Sequence, residues 1–578
     1  MGVHTLRTRH FDVLVIGGGA AGTRAAVAAA ESGARTAMVL KTEVGRSGST
    51  CFPAHGPHGS AYQAADGCSH ADGDSPDRHF DDIMTAGLGM TDPRLARILA
   101  DEAPDRLAEL ISWGFIPDPE PCGRDRPHWA GYSCFGSFPR AHGIWDVSAG
   151  HAGALVTAAA SRLQALGVTV MPHTLVSDLL VQDGGCVGAL ALETDGDAFV
   201  LQAPSVILTC GGAGQLFPAA TASREATGDG YAMALRAGAK LVNLEFMQFM
   251  ARGLPDSGPV LWMLCPQVRN AHGEEVLGRY LPAGVDAEQA CECRTLHYPF
   301  SSRDASGWLD IAIRSEAMAG RGIGPRAALT LNYDNPVSRA RARDGKRPRP
   351  QHHWPGAPGP VPFPVQAAKV THAAHAINGG VLISATGQSS IDGIYAAGET
   401  AAGAHGADRL GGNMLPNAQV FGRRAGQHAA ERARGTQPDV RRATLSAPLD
   451  RLQRLQSRRG HRRAKKVKLA LQEINARSLY VVRSEEGLIH HEHEISRLRH
   501  HVLPEIDTAQ PAELWGAIEA ENMLTVSHMM GAAACMRTES RGGHFRSDHP
   551  RRDEAWSEAI VQRWEDGQLR LRREKLDA

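Results

Sequence analysis

Gly17, Gly19 and Gly22 stand at G-x-G-x-x-G spacing, and their flanks give that spacing a chemical meaning. The first glycine permits a tight turn, the second lets backbone approach a pyrophosphate, and the third lets a helix pack on a strand. Residues 11–16 (Phe-Asp-Val-Leu-Val-Ile) read as a buried strand before the turn, and residues 23–31 as an Ala-rich helix after it. Ala20 and Ala21 then lie at the helix mouth, where free N–H groups and the positive dipole end receive phosphate. The chemistry implied is dinucleotide binding. The acid that grips a ribose usually follows the second strand. Here that strand, 36–40, runs into Lys41, so the acid is Glu43 or comes from elsewhere.

Other reactive groups point less far. The ten cysteines contain no C-x-x-C pair; Cys291 and Cys293 are the one close pair, with no matching second pair. Buried thiols are expected, and no iron–sulfur or zinc site. His490, His491 and His493 cluster with Glu492 and Glu494. Neighbouring positions fan around a helix instead of sharing a face, so no metal site is expected there either.

The elements that must position this chemistry need more than one core. A chain of 578 residues suggests about two to four domains. Lys+Arg and Asp+Glu both number 62, which gives no general pull toward nucleic acid or an anionic membrane. No stretch is apolar enough to span a bilayer. Residues 1–10 lack the apolar region of a secretory signal, and Leu6 stands where a myristoylation motif wants Ser or Thr. A cytoplasmic enzyme is expected. Residues 75–170 read as mainly helical, for example 93–113. Short strands at 168–170, 179–182, 186–193 and 199–202 read as a small sheet. A buried strand from 205 ends at Gly211 and Gly212, followed by a helix over 227–237. Residues 245–365 differ: short strands, loops and one clear helix around 308–318, closing in a segment with seven prolines over 347–364. Such a segment is a semi-rigid connector. Dinucleotide-domain character returns at 391–399, and a helical tail follows over 445–560, whose basic run 458–468 reads as a solvated helix face.

Three glycine-terminated strands, at Gly17, Gly211 and Gly398, together with a set of ordered segments, carry a resemblance. The segments are Arg46-Ser-Gly-Ser-Thr50, Ala226-Thr-Gly-Asp229-Gly-Tyr-Ala-Met-Ala-Leu-Arg-Ala-Gly238, Glu245-Phe-Met-Gln-Phe249, His375-Ala-Ile-Asn-Gly379-Gly380, Gly398-Glu399, His405-Gly-Ala-Asp-Arg409-Leu-Gly-Gly-Asn413 and Glu539-Ser-Arg541-Gly-Gly-His544. The chain resembles the flavoprotein subunits of succinate dehydrogenase and fumarate reductase, whose relatives include L-aspartate oxidase and the adenylylsulfate reductase flavoprotein. The resemblance implies an α/β fold: a Rossmann-like FAD-binding domain (1–244 and 366–444), interrupted by an α+β capping domain (245–365) and followed by a C-terminal helical domain (445–578).

It also implies roles. Asp229 holds the adenosine ribose, Glu399 faces the ribityl chain, and backbone at Met414 and Leu415 reaches the isoalloxazine. Lys41, Ser47, Gly48 and Ser49 join the cofactor-binding set. Gly48 stands where dehydrogenase members carry the His that binds flavin covalently, so FAD is expected to be noncovalent. Arg303 matches the capping-domain Arg that moves a proton, while Arg409 and His375 match the groups that grip a substrate carboxylate. Arg suits that task because its fork meets a carboxylate bidentately. Three departures mark the substrate end: Met250 where succinate-type members carry His, Trp262-Met263 where they carry Thr-Glu, and Ala376 where they carry Tyr. The expected reaction is hydride transfer at a bond of a carboxylate-bearing small molecule, with O2 or a separate electron-transfer protein as the electron partner. The alternatives are a flavin oxidase or oxygenase using O2, like L-aspartate oxidase, and a flavoprotein subunit that relays electrons within a complex such as an adenylylsulfate reductase-like enzyme.

Overall fold

The structure, a computed structural model, describes residues 6–46, 48–51, 60–66, 73–115, 130–131, 134–144, 153–344 and 363–576. Ser47 and residues 345–362 of the proline-rich connector lie outside the described residues. Along the chain come β1 (Val13–Ile16), α1 (Ala20–Glu31), β2 (Thr36–Val39), α2 (Pro76–Gly87), α3 (Pro93–Ser112), β3 (Thr169–Met171), β4 (Ser205–Leu208) and α4 (Asp229–Arg236). Next are β5 (Met247–Gly253), β6 (Gln267–Arg269), α5 (Gly307–Met318), β7 (Leu329–Asn332) and β8 (Ala368–Ile377). Last come β9 (Ile394–Ala396), α6 (Met414–Ala433), α7 (Ala464–Ser478), α8 (Glu485–Arg497) and α9 (Pro511–Met536).

One five-stranded parallel sheet, in the order β9-β4-β1-β2-β3, organises the site. Strands β1, β2, β4 and β9 are fully buried, mostly apolar runs, as a sheet covered on both faces requires, while the outer strand β3 exposes Thr169 and Val170. Parallel pairing sends every strand's carboxyl end to one edge. Gly17, Thr209–Gly211 and Ala397–Glu399 therefore emerge side by side, at the crevice where open α/β sheets bind ligands. The short strand expected at 168–170 is the outer strand of this sheet, not of the small one; it pairs with β2. A separate four-stranded sheet holds the strands Leu175–Gln182, Gly185–Leu192 and Ala198–Gln202, with Thr8–His10 at its edge.

Helix α1 begins at Ala20, inside the fingerprint and three residues before the expected start. A side chain at Gly22 would collide with Gly17 O at 2.0 Å, so helix and turn touch through backbone. Helix α6 packs along α1 by the same device, with Gly422 and Gly426 set against the Ala21 and Ala25 carbonyls. Helices α2 and α3 start where capping chemistry places them. Ser75 and Asp92 accept from first-turn N–H groups, and Pro76 and Pro93 occupy positions that need no donor.

Strands β5-β8-β7-β6 form an antiparallel sheet with its own core around Trp262, Val268, Leu309 and Leu331. Strand β8 belongs to this sheet although it follows the proline-rich segment. The β5–β8 register shifts between Gln248, opposite Ala376, and Phe249, opposite Ala374. His375 is the extra residue of that bulge, a device that re-aims a side chain. Beyond α9, the expected all-helical tail gives way to a hairpin, Ala559–Glu565 and Gln568–Glu574, which pairs with Leu241–Val242. Asp566 and Gly567 both take positive φ at its turn, and Asp-Gly is a strong hairpin signal that the sequence reading passed over. No helix among the described residues is long and apolar enough to cross a membrane.

Of the clustered histidines, His491 is buried and bonded to Asn475 and Ser527, while His490 and His493 are exposed. Burial lowers the pKa of His79, His372, His405 and His491 to about 3 and takes His544 well below its ordinary value. Such groups stay neutral in the fold but charge in the unfolded chain below its pKa near 6.5, so the stability they permit at neutral pH drains away as pH falls toward 3. Each group costs about 1 kcal/mol for the first unit below 6.5. Glu399 and Asp408, raised by burial, act in the opposite direction but number two against five. The melting temperature is expected to drop as pH goes from 7 to 5, and His491→Asn to soften that slope. A flat profile would contradict the buried neutral histidines.

Candidate active site

A cavity of about 760 Å³ runs along the carboxyl edge of the parallel sheet and under the cap. Gly17, Gly19, Ala20, Ala21, Lys41, Gly48, Ser49, Asp229, His375, Glu399, Arg409, Met414 and Leu415 all line it. Gly22 and Arg303 do not. Gly22 packs helix on turn, as its place in the fingerprint requires. Gly17 holds φ +114°, and a Cβ there would stand only 2.2 Å from Thr209 O, so no other residue fits the turn. Thr50, missed by the sequence reading, lines the cavity, and its hydroxyl accepts from Ala20 N at 3.2 Å. Ser49 Oγ accepts from Ser223 N at 3.3 Å, tying the Gly48 loop to the segment before Asp229.

At one end of the cavity stands the acid Asp229. Glu43 does not line the cavity. Lys41 Nζ donates to Asp229 at 2.8 Å and to Glu519 at 2.6 Å, and Asn522 Nδ2 donates to Asp229 at 2.7 Å. Burial opposes the Asp229 charge, but Lys41 outweighs it and the pKa is lowered. With Thr227 also donating to it, Asp229 keeps about one of its four acceptor positions for a ligand. Glu519 and Asn522 come from α9, hundreds of residues away, and only the fold reveals them.

At the middle, Glu399 accepts from Ile377 N at 3.0 Å. Gly212 leaves room for its carboxyl group, since a side chain there would meet Glu399 Oε1 at 2.1 Å. Burial pushes the Glu399 pKa up to about 7.

At the far end, Arg409 Nη2 lies 3.2 Å from His375 Nε2, and His375 Nδ1 lies 2.9 Å from Thr221 Oγ1. Because a guanidinium can only donate, His375 Nε2 accepts and Nδ1–H donates to Thr221: a neutral imidazole. Burial lowers the Arg409 pKa, and its Nε is buried with no hydrogen-bond partner among the described residues. A buried, incompletely satisfied guanidinium on a cavity wall has donor capacity left for an anion. The facing wall is Met250, Leu254, Val260, Leu261, Pro299 and Ala376. Trp262 does not reach it; the indole sits in the cap core.

Arg303 lies behind this wall. Its Nε is 3.2 Å from Asp408 Oδ2, Nη2 donates to Ala86 O at 2.8 Å, and the guanidinium stacks over Phe135 at 4.5 Å. It joins the cap loop to the last turn of α2 and to the residue before Arg409. Burial raises the Asp408 pKa against the pull of Arg303, and Ser301 Oγ also donates to Asp408, at 2.6 Å.

Residues 12–415 match the FAD binding domain family, and residues 468–578 match the fumarate reductase flavoprotein C-terminal family. The chain belongs to the fumarate reductase/succinate dehydrogenase flavoprotein family. It is 32% identical to one subunit of the fumarate reductase (CoM/CoB) of Methanothermobacter marburgensis, over 95% of this chain and 96% of that one. It is also 32% identical to L-aspartate oxidase of Streptomyces coelicolor, over 96% and 91%. Among solved structures, Mycobacterium smegmatis Sdh1 in complex with UQ1 is similar with a TM-score of 0.80 and 27% identity, covering 98% of this chain and 95% of that one. This flavoprotein is an FAD-dependent oxidoreductase, and its α/β domain with a C-terminal helical domain is the family's fold. The residues present fit FAD. The side-chain-free turn at Gly17, the opening of α1, the acid at Asp229 and the strand ends at Gly211 and Gly398 lie along one continuous cavity.

Proposed function

We propose that this flavoprotein oxidises or reduces a carboxylate-bearing small molecule at the bond beside its carboxylate, with Arg409 and His375 as the grip. The observation that carries this reading is the buried Arg409 fork, aimed into the cavity with Nε unpartnered and Nη2 set by a neutral His375. Bound FAD supplies the acceptor or donor of a hydride at N5. The chain's own residues do the rest. Thr221 fixes the His375 tautomer, His375 fixes Arg409, and the cap strand β5 lays Met250 over the reacting end to exclude water. Lys41 and Asp229 hold the adenosine end, and Gly48 and Ser49 lie along the cofactor path. The domains divide at 244, 365 and 444, with β8 carried across the second boundary into the cap sheet. Electrons pass to O2 or to a separate protein.

The residue at the covalent-attachment position is Gly48, so FAD is held without a covalent link. Acid or heat is expected to release all flavin into the filtrate of the yellow holoenzyme; flavin retained on the precipitated chain would refute this.

The apolar wall of Met250 and Ala376 gives a second carboxylate nothing to pair with, and an unpaired charge is costly to desolvate. Steady-state turnover across mono- and dicarboxylates, saturated and unsaturated, with a dye or O2 as electron partner, is expected to favour larger or less charged acids over succinate and fumarate. Efficient turnover of either C4 diacid would overturn the dismantled second grip. Flavin that no carboxylate oxidises or reduces would overturn the reading itself.

A further inference from the structure

Arg252 lies on the same wall as Met250, two residues further along β5. Residues two apart on a strand share a face. In the β5–β8 register, Met250 faces Ala373 and Arg252 faces Thr371, while His375 occupies the bulge. Thr371 and His375 are four residues apart on β8, roughly 13 Å at the rise of a strand. The cavity therefore has a buried cation at its inner end and an exposed one at its cap end. Between them β5 presents Met250, and Leu254 and Val260 flank Arg252 on its outer side. Among the described residues, the Arg252 side chain has no hydrogen-bond or ion-pair partner. Of the other cations of the cavity, Lys41 is paired to Asp229 and Glu519, and Arg409 is set by His375 with its Nε left over at the inner end. Glu225 is the one acid of the cavity wall besides Asp229 and Glu399 among the described residues, and it forms no ion pair with Arg252.

We propose that Arg252 is a second anion subsite, and that the substrate is an elongated acid: a carboxylate at Arg409 and His375, an apolar body, and a second anionic group at Arg252. The proposal rests on the carboxylate reading of Arg409 above and extends it. A guanidinium on an apolar wall answers a carboxylate or phosphate by its planar fork. A short diacid cannot span the gap; its second charge stops over Met250, short of Arg252. A long one places each charge on a cation and its chain on the apolar wall. Because Arg252 is exposed, it selects by recruitment and binding and leaves the chemical step alone.

The test compares α,ω-dicarboxylates of increasing length with monocarboxylates of the same length, in the wild-type holoenzyme and in Arg252→Gln. The readouts are kcat and KM with a dye as electron partner, and equilibrium binding followed by the flavin absorbance change. The expected result is that long diacids outperform matched monoacids in the wild type. Arg252→Gln then raises KM and Kd for the diacid about tenfold and leaves kcat and all monoacid constants unchanged. Equal loss for both acids, or none, overturns the subsite. Arg409→Lys separates the two readings. If diacid binding depends on Arg252 but no acid turns over and Arg409→Lys binds unchanged, the subsite stands and the inner grip falls. If diacids bind no better than monoacids while Arg409→Lys loses both, the grip stands and the subsite falls.

Discussion

Arg409→Lys is expected to lose most turnover while the protein keeps its FAD. Arg409 is 6% exposed, and its Nη2 and Nη1 are fixed by His375 and by the Leu410 carbonyl. An ammonium restores the charge but not the fork, and it cannot donate along two parallel directions to one carboxylate. The loss of a buried, charge-assisted contact is worth roughly 2–5 kcal/mol, about thirtyfold upward in kcat/KM. His375→Asn is expected to fall in the same direction by less, because the neutral ring orients Arg409 and shares the substrate without supplying the charge. Steady-state kinetics with the flavin spectrum as control decide the matter. Unchanged kinetics in Arg409→Lys would place the substrate elsewhere.

Arg303→Ala is expected to abolish nearly all turnover and leave the flavin spectrum intact. Arg303 does not line the cavity; it stands one layer behind, against Asp408 and the end of α2. We propose that from that position it serves the proton transfer as a positioning residue, held by Asp408. Removing it also leaves Asp408, fully buried, without its cation, a loss of about 3–5 kcal/mol. Arg303→Ala alone would therefore mix chemistry with cap docking. The double variant with Asp408→Asn removes the stranded charge. Turnover that stays abolished in it assigns Arg303 to the reaction; turnover that returns assigns it to docking. Full activity of Arg303→Ala would remove both roles.

Much of the cofactor half was legible in the sequence because its chemistry is local. A turn that only glycine can make, the helix after it and the apolar strand before it lie within a dozen residues, and β1, α1 and β2 appear within a few residues of their expected ends. What stayed hidden depends on residues brought together from far apart. Asp229 could be named, but not Asn522 and Glu519, which reach it from α9. His375 could be named, but not the bulge that turns it into the cavity, because register is a property of two strands. Arg303 was readable as an arginine before an aspartate; nothing local says that it faces Asp408 instead of the cavity. The strand Thr169–Met171 is too short for periodicity to decide its sheet. The C-terminal hairpin is a different failure, since its Asp566-Gly567 turn was in plain view.

The chain from Glu519 through Lys41 to Asp229 sets an order of assembly. Lys41 and Glu519 are 478 positions apart, and Asn522, which completes the Asp229 shell, lies beyond both. During synthesis the glycine turn and first helix emerge early, yet Lys41 and Asp229 lack Glu519 and Asn522 until α9 is made. A truncated or stalled chain carries the fingerprint without a completed nucleotide site. The Asp229 end of the cavity is thus closed by a helix made hundreds of residues after the glycine turn.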